Sequence, residues 1–162
     1  MSSRVVVRPA RLSDFQKVLE LECLMSEYHH RLNPLFWARW DKDDKKIQEH
    51  VRQHWEKKNK LARIFVASLE GVVVGYLTVT CRILGPDTTF QRMGVVEKLF
   101  VEKKLRKSGV GRALLAEAGR WFKRQRIDKA FLQVDIRNTA GVRAWKKMGF
   151  TAERYTMVKG LE

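Results

Sequence analysis

The sequence has little of what marks a secreted, metal-binding or membrane-spanning protein. It contains 2 cysteines, Cys23 and Cys81, and neither has cysteine or histidine neighbours at the spacing of zinc ligands. No apolar run approaches the roughly 20 residues that a membrane-spanning helix needs. Residues Met1 to Arg4 also lack the apolar stretch of a signal peptide. We therefore expect a cytoplasmic protein with reduced thiols, no bound metal and no membrane partner.

Acidic residues are scarce as well. The chain has 18 Asp and Glu against 33 Lys and Arg, which gives a formal net charge of +15. Such a surplus predicts attraction to a polyanion, either a nucleic acid or an anionic cofactor. Between Val101 and Ala130, basic residues outnumber acidic ones ten to three. No aromatic RNA-binding motif or helix-turn-helix pattern accompanies this charge, so the sequence favours the cofactor over nucleic acid.

The remaining pattern is typical of an α/β protein. The chain of 162 residues has no linker or repeat, so we expect residues 1–162 to form one domain. Runs of β-branched residues alternate with apolar residues at helical spacing, which predicts strands between helices. The first half of the chain is predicted to contain a strand at 5–8, a helix capped by Ser13, a second helix capped by Asp41, Asp43 or Asp44, and a hairpin that turns at Glu70-Gly71. The apolar stripe of the first helix is predicted to be Val18, Leu21, Leu24, Met25 and Tyr28. The second half is predicted to contain a strand from Gly94 to Val101, a helix from Gly111, a strand at 130–134, a helix from Asn138 to Gly149 and a closing strand from Thr151 to Val158.

The most informative stretch joins the central strand to the helix after it. Its sequence is Arg106-Lys107-Ser108-Gly109-Val110-Gly111, followed by Arg112. Two glycines allow a tight turn and a close approach of the backbone to a ligand. The first N–H groups of a helix lack internal partners and carry partial positive charge, so such a terminus binds phosphates. The alternative is an ordinary strand-to-helix loop.

These residues give the chain a family resemblance. The segment Arg106–Gly111 matches Gln/Arg-x-x-Gly-x-Gly/Ala, the pyrophosphate loop of the GNAT superfamily of acyl-CoA N-acyltransferases. The stretch Glu97–Val101 resembles the fourth strand of that family, and Asn138–Phe150 resembles its later Asn…Tyr…Gly-Phe helix. The resemblance covers nearly the whole chain. It implies a GNAT-like fold, with a mixed, mostly antiparallel sheet, splayed central strands and about four helices.

The resemblance also implies a reaction and a cofactor site. An acetyl group would move from acetyl-CoA to a primary amine by direct attack in a ternary complex. The backbone of Leu99, Phe100 and Val101 would bind the cofactor's amide-bearing arm, as an added strand does. The implied cofactor-binding residues are Leu99, Phe100, Val101, Arg106, Lys107, Ser108, Gly109, Val110, Gly111, Arg112, Asn138 and Trp145. Asn138 has an alternative role as a helix N-cap.

Catalysis needs a base, because an alkyl amine is mostly protonated at neutral pH. Glu97 on the central strand is our first candidate and Asp135 the second. Many relatives carry a tyrosine acid at the position of Trp145, and an indole N–H cannot usefully give up its proton. We therefore expect catalysis without that tyrosine, with Tyr155 among the groups that could replace it.

The acceptor side is less well defined by the sequence. The resemblance places it at the first two helices, where Tyr28, His30 and Trp37 are candidate substrate contacts and His29 or His30 is an alternative base. The acceptor amine, on a small molecule or a protein, stays open. The alternatives in other classes are an acyl-CoA-binding module without turnover and a basic RNA- or ribosome-associated protein on the same fold. A homodimer also stays open.

Overall fold

The structure is a computed structural model that describes residues 5–56 and 61–161, and it contains a five-stranded sheet. The strands lie in chain order across the sheet, so β1 and β5 are its edges. The first four strands pair antiparallel, and β5 pairs parallel to β4. The strands are β1 Val5–Pro9, β2 Ala62–Leu69, β3 Val72–Ile83, β4 Arg92–Val101 and β5 Ala130–Phe131.

Helices lie on both faces of this sheet. They are α1 Phe15–Leu32, α2 Lys45–Glu56, α3 Val110–Arg124 and α4 Thr139–Lys147, with single 3-10 turns at Leu12–Asp14 and Lys103–Leu105. Within the described residues, none of these helices is long and apolar enough to cross a membrane. Residues 1–4, used above for the signal-peptide argument, lie outside the described part of the chain.

The alternation of side chains along the strands divides the core into two clusters. On one face, Leu77 and Val79 of β3 pack with Leu114 and Trp121 of α3. On the other face, Tyr76 packs with Val18 and neighbouring residues of α1 and with α2. Successive strand residues point to opposite faces, so both clusters share the central strands. This arrangement leaves the ends of β4 and β5 as the place where the two layers of helices meet.

Most of the predicted elements are confirmed, with two corrections in the first helix. Ser13 is not the cap, because a 3-10 turn precedes α1 and the Asp14 carboxylate accepts the Arg11 N–H at 2.7 Å. Leu24 is not on the buried stripe, since it is 55% exposed. The buried stripe is Phe15, Val18, Leu19, Leu21 and Glu22. The hydrophobic periodicity located the helix and correctly placed Val18 and Leu21 on its buried side, but it wrongly included Leu24.

The closing strand predicted from Thr151 to Val158 is wrong. Residues 151–161 follow α4 without regular secondary structure, and every one of them is exposed. The predicted strand at 130–134 is also shorter, because β5 ends at Phe131. A sequence with strand propensity forms a strand only where another strand edge satisfies its backbone. In a single copy of this chain, the C-terminal segment has no such edge beside it.

Asp14 ties β1 to the start of α1, and its substitution should destabilise the fold. Its carboxylate accepts two hydrogen bonds from Arg8, at 2.7 and 2.9 Å, and these bonds lower the pKa of Asp14. We expect Asp14→Ala to reduce the free energy of unfolding by about 1–3 kcal/mol at pH 7, because the buried carboxylate that bonds to Arg8 and to the Arg11 N–H is lost. Asp43→Ala, at an exposed carboxylate, is the matched control.

The pH dependence of this effect has a defined sign. The folded-state pKa of Asp14 lies below the ordinary value of 3.8, so its contribution is present above about pH 4 and is lost as pH falls through the folded pKa. Urea unfolding from pH 2.5 to 7 measures this. A difference between wild type and Asp14→Ala that does not shrink below pH 4 would contradict the assignment.

Candidate active site

A cleft opens between β4 and β5 because the two strands pair over only two residues. Gly94 is opposite Ala130 and Val95 is opposite Phe131, after which β5 ends while β4 continues to Val101. The side of β4 that faces β5 therefore has no strand partner beyond Val95. An unpaired strand edge of this kind can bind an extended ligand through its backbone.

The antiparallel ladder with β3 shows which β4 amides face the cleft. Glu102 N–H donates to Val74 O at 3.0 Å, so this pair is hydrogen-bonded to β3. Hydrogen-bonded positions alternate along an antiparallel pair. Phe100 therefore directs its amide toward β3, and Leu99 and Val101 direct theirs toward the cleft. The geometry brings Leu99 and Val101 into the candidate site through their backbone and leaves the Phe100 amide out of it.

A bulge in β4 brings Glu97 to the face of the sheet that α1 and α2 cover. Thr78 pairs with Lys98 and Val79 pairs with Val96, so Glu97 is the extra residue of β4. The Glu97 carboxylate accepts a hydrogen bond from Thr80 Oγ1 at 2.8 Å and one from Arg82 Nη2 at 3.3 Å. Thr80 and Arg82 lie on the face of β3 that α1 and α2 cover, because they share the parity of Tyr76. Glu97 remains 34% exposed there.

The glycine loop presents the N-terminus of α3 without a capping side chain. Gly109 is the N-cap residue with φ +92°, a conformation that disfavours any residue with a Cβ, and no side chain bonds to the first turn. Ser108 instead donates its hydroxyl to Leu105 O at 2.6 Å, inside the loop. The N–H groups of Val110 and Gly111 thus have no capping side chain among the described residues. This arrangement suits a phosphate.

Arg106 closes the end of the cleft nearest the loop. Its Nε donates to Val101 O at 3.1 Å, and its guanidinium lies 5.3 Å from the Phe100 ring centroid and 5.8 Å from that of Tyr28. The Arg106 side chain is therefore hydrogen-bonded to a carbonyl group that faces the cleft, that of Val101. Lys107 and Arg112 are exposed beside it, so the loop is positively charged on its outer side.

The far wall of the cleft is held by α1. Asn138 Oδ1 accepts the Gly141 N–H at 2.9 Å, which confirms the N-cap alternative, and it also accepts the Tyr28 hydroxyl at 2.9 Å. A Cβ on Gly141 would lie 2.5 Å from Asn138 Nδ2, so a side chain there would displace the Asn138 side chain that forms the cap. The carboxylate of Asp135 accepts Asn33 Nδ2 at 3.1 Å. Both residues after β5 are thus bonded to the C-terminal end of α1.

The candidate bases differ in their surroundings. The Arg137 N–H and the Asn33 side chain hold the pKa of Asp135 below its ordinary value. Burial lowers the pKa of His29, and Asp135 opposes that shift only in part. The His29 ring lies 4.9 Å from the Trp37 ring, and His30 Nδ1 is 2.7 Å from Trp37 O. Asp135 is consequently a weak base, whereas His29 is neutral at neutral pH.

Two predicted residues lie away from these groups. Trp145 packs edge-on against Phe150, with ring centroids 5.4 Å apart, at the margin of the α3 core. Tyr155 is 89% exposed in the C-terminal segment and contacts none of the groups above in a single copy. Across residues 5–56 and 61–161, no group of three His, Cys, Asp or Glu could hold a metal ion.

The sequence analysis missed three residues that now belong to the site. Thr80 and Arg82 bond to Glu97, and Asn33 bonds to Asp135. Thr80 and Arg82 follow the alternation of the predicted hairpin strand, so the pattern could have placed them on one face. No local pattern marks Asn33, because its partner is more than one hundred positions away.

The comparisons with known proteins agree with this geometry. A model of the acetyltransferase (GNAT) family matches residues 25–150. The chain belongs to the GNAT acetyltransferase family. Its matched segment runs from the middle of α1 to the end of the Asn138–Phe150 stretch, so it includes the cleft and the glycine loop. Curated protein sequences contain no significant match.

Solved structures show the same fold at low sequence identity. The tetramutant of the BH1408 protein from Bacillus halodurans superposes with a TM-score of 0.85 at 18% identity, covering 96% of this chain and 99% of that one. The aminoglycoside N-acetyltransferase AAC(6')-Iy, in complex with CoA, gives 0.75 at 17% identity, with 99% and 97% covered. The aminoglycoside 6'-N-acetyltransferase AAC(6')-IG from Acinetobacter haemolyticus gives 0.73 at 19%, with 97% and 98% covered. The predicted GNAT-like α/β fold is confirmed.

The glycine loop generates a prediction about cofactor affinity. Gly109→Ala would force a left-handed backbone on an L-residue, at about 1–2 kcal/mol, or move the loop. We expect acetyl-CoA to bind roughly 5- to 30-fold more weakly, measured by calorimetry. Gly119→Ala is the matched control, because Gly119 lies in the same helix, α3, and a Cβ there would meet nothing within 4 Å. Unchanged affinity in folded Gly109→Ala would remove the loop from the cofactor site.

Proposed function

We propose that this GNAT acetyltransferase transfers an acetyl group from acetyl-CoA to a primary amine, which attacks directly in a ternary complex. The observation that carries the proposal is the continuous path along β4. It begins at the uncapped N-terminus of α3, follows the cleft-facing amides of Val101 and Leu99, and reaches Glu97 on the acceptor side. Each part of this path suits one part of the reaction.

The first part of the path suits the cofactor. Residues Arg106 to Arg112 would hold the pyrophosphate through backbone N–H groups and positive charge. The amides of Leu99 and Val101 would bond to the amide-bearing arm as a neighbouring strand does. Arg106 would release Val101 O and turn toward the phosphates, so the guanidinium exchanges one acceptor for another. The cofactor contact of Trp145 stays a prediction.

The second part of the path suits proton removal from the amine. Glu97 faces the layer of α1 and α2, where an acceptor would enter, and its two hydrogen-bond donors fix its carboxylate. Asp135 is the weaker candidate, because its hydrogen bonds with the Arg137 N–H and the Asn33 side chain lower its pKa. His29 is the competing base, because it is neutral at neutral pH. The thioester supplies the acyl group, and a cleft-facing N–H near Val101 would stabilise the oxyanion.

The third part concerns the leaving thiolate and the acceptor. Trp145 cannot act as an acid, and in a single copy Tyr155 lies away from the cleft, so we propose that hydrogen bonds alone assist departure of the thiolate. Tyr28, His30 and Trp37 would contact the acceptor, since all three lie at the C-terminal end of α1 and the loop that follows. An amine acceptor is in keeping with the N-acetyltransferases of the same fold, although identities of 17–19% carry no information about which amine.

The deciding experiment is calorimetric titration with acetyl-CoA and desulfo-CoA, followed by an amine panel with thiol release as readout. Binding of both cofactor forms with turnover on the panel supports the transferase. Binding without turnover on any amine supports the acyl-CoA-binding module. No binding by the folded protein would contradict both, and salt-dependent binding of random RNA would then support the basic RNA-associated alternative.

The choice of base generates a separate prediction. We expect Glu97→Gln to lower kcat by 10²- to 10⁴-fold with unchanged acetyl-CoA affinity, because a general base contributes that much to the chemical step. Glu117→Gln is the matched control, since Glu117 lies on α3 and pairs with Arg120 away from the cleft. Steady-state kinetics across pH 5 to 9 measure both.

His29→Gln tests the competing assignment. If His29 is the base, this variant loses the acid limb of the pH–rate profile, and the wild-type limb lies below the ordinary histidine value of 6.5. Full activity in Glu97→Gln, together with loss of activity in His29→Gln, would transfer the role to His29.

A further inference from the structure

A group of cations lies beyond the C-terminal end of α3, where β4 and β5 begin. A pocket of about 390 Å³ opens there between the start of β4, the turn after α3 and the residues before β5. Its lining, called the basic pocket below, is formed by Phe90, Gln91, Arg92, Arg126, Asp128 and Lys129. Three cations face one carboxylate, so the basic pocket has an excess of two positive charges. A pocket lined mainly by one sign of charge attracts ions of the other sign.

The cations of the basic pocket form no ion pair in the described part of the chain. No carboxylate in that part lies within salt-bridge distance of Arg92, Arg126 or Lys129. Arg92 Nη1 donates to Gln125 O at 3.5 Å, and Lys129 Nζ lies 5.4 Å from the centroid of the Phe90 ring. All three basic residues are exposed. Their charges are therefore available to an anion from solution.

Neither the cofactor nor the dipole of α3 accounts for these charges. The glycine loop lies at the other end of α3, and a helix of 15 residues is about 22 Å long. That distance exceeds two Debye lengths at physiological ionic strength, where one Debye length is about 8 Å. The negative end of the helix dipole favours cations only within the last turn of the helix. Arg92 and Lys129 lie outside α3, so they need another explanation.

The backbone at Arg126 is a separate sign that the pocket needs a cation. Arg126 follows the C-cap of α3 and has φ +57°. Its N–H donates to Lys123 O at 2.9 Å, and the Ile127 N–H donates to Phe122 O at 3.0 Å, which is a Schellman termination. Glycine is the usual residue at this left-handed position, and α4 has Gly149 there, with φ +96°. Because α3 carries an arginine where the backbone favours glycine, we attribute the strain to a function of the side chain.

We propose that the basic pocket binds the phosphate backbone of a single-stranded nucleic acid. Its cations come from three chain segments around a concave space, which suits a flexible strand and does not suit a flat bilayer. Five of its six lining residues are polar or charged, so it lacks the apolar centre of a protein interface. A basic groove that contains an aromatic side chain, here Phe90, is typical of proteins that bind single strands. The proposal does not depend on the acetyltransferase reaction.

Fluorescence anisotropy of labelled oligouridylate is the first test, with the salt concentration varied. We expect a micromolar dissociation constant at low salt. The logarithm of the association constant should fall with the logarithm of salt concentration with a slope of about −2, because three neutralised phosphates of a single strand each contribute about −0.7. A duplex of the same length should bind more weakly.

Three outcomes of this test overturn the proposal. They are no binding of oligouridylate at low salt, binding that does not depend on salt, and tighter binding of the duplex than of the single strand. Vesicles of phosphatidylserine and phosphatidylcholine that compete fully with oligouridylate would also overturn it, in favour of a membrane surface.

The double variant Arg126→Gln with Lys129→Gln tests the location of the site. We expect oligouridylate to bind at least about 10-fold more weakly at low salt, with the slope reduced in magnitude by about 1.4, because two phosphate contacts are lost. Lys45→Gln with Lys46→Gln is the matched control. It makes the same charge change at exposed residues of α2, on the other face of the sheet, and should change the affinity less than about twofold. Circular dichroism checks the folding of each variant.

A second control separates the basic pocket from the glycine loop. Lys107→Gln with Arg112→Gln removes two charges at the other end of α3, and the affinity for oligouridylate should again change less than about twofold. If either control weakens binding as much as the pocket variant, net charge or the glycine loop governs the binding, and the proposal is overturned.

Arg126→Gly separates the charge of the side chain from its effect on the backbone. Glycine adopts φ +57° without the steric penalty of a Cβ, so we expect this variant to have a higher Tm than the wild type. The same variant should bind oligouridylate more weakly, with the salt slope reduced in magnitude by about 0.7. Binding equal to that of the wild type, or a lower Tm, overturns the proposal, since a purely structural arginine would give one or the other.

Discussion

The early end of hydrogen bonding between β4 and β5 is the constraint on which the rest of the structure depends. Two features separate the strands. The bulge at Glu97 bends β4 immediately after its last residue pair with β5. On the other side, Asn33 holds Asp135 and so draws the chain after β5 toward α1. The strands diverge because each is bonded to a different neighbour, so in the described part of the chain β4 has no strand partner on this side beyond Val95.

The sequence predicted those parts of the site that local chemistry determines. The glycine loop, the start of α3 and the Asn138 cap each depend on residues a few positions apart, so motif and spacing were sufficient. The partners of Glu97, and the bonds of α1 to the segment after β5, join residues far apart in the chain, and no periodicity reports them. Ser13 and Asp14 show that even neighbouring residues can be ambiguous in sequence. Both residue types cap helices, and Asp14 is the one that forms the ion pair with Arg8.

The closing strand failed for a different physical reason. The residues from Thr151 to Val158 do have strand propensity, but propensity measures fit to a pleated surface that another strand must supply. After helix termination at Gly149, residues 151–161 are exposed and pair with neither of the two sheet edges, β1 and β5. The sequence therefore indicates the strand tendency of these residues correctly. It predicts their pairing incorrectly, because pairing depends on where the chain lies after α4.

The positive charge of the chain is also unevenly compensated. Glu102 pairs with Lys17 at 3.1 Å and Lys104 at 3.6 Å, just before the glycine loop. Within the described residues, Lys107 and Arg112 have no carboxylate at salt-bridge distance. The positive charges of Lys107 and Arg112 add to the partial positive charge at the N-terminus of α3. These groups are neighbours in the loop and the first turn, so salt screens their combined field only in part. The glycine loop is therefore a place where positive charge is left without a carboxylate partner.

Helix α1 is bonded to both walls of the cleft between β4 and β5. Glu22 bonds to Lys98 of β4 at 2.6 Å, and Tyr28 bonds to Asn138 beyond β5 at 2.9 Å. Helix α1 is therefore bonded to both walls on one face of the sheet. On the other face, the core cluster of α3 also packs against both walls, through Val101 of β4 and through Leu132 and Trp145 beyond β5. The Arg106 guanidinium packs on the Tyr28 ring, so the residue that bonds to Asn138 also contacts the glycine loop.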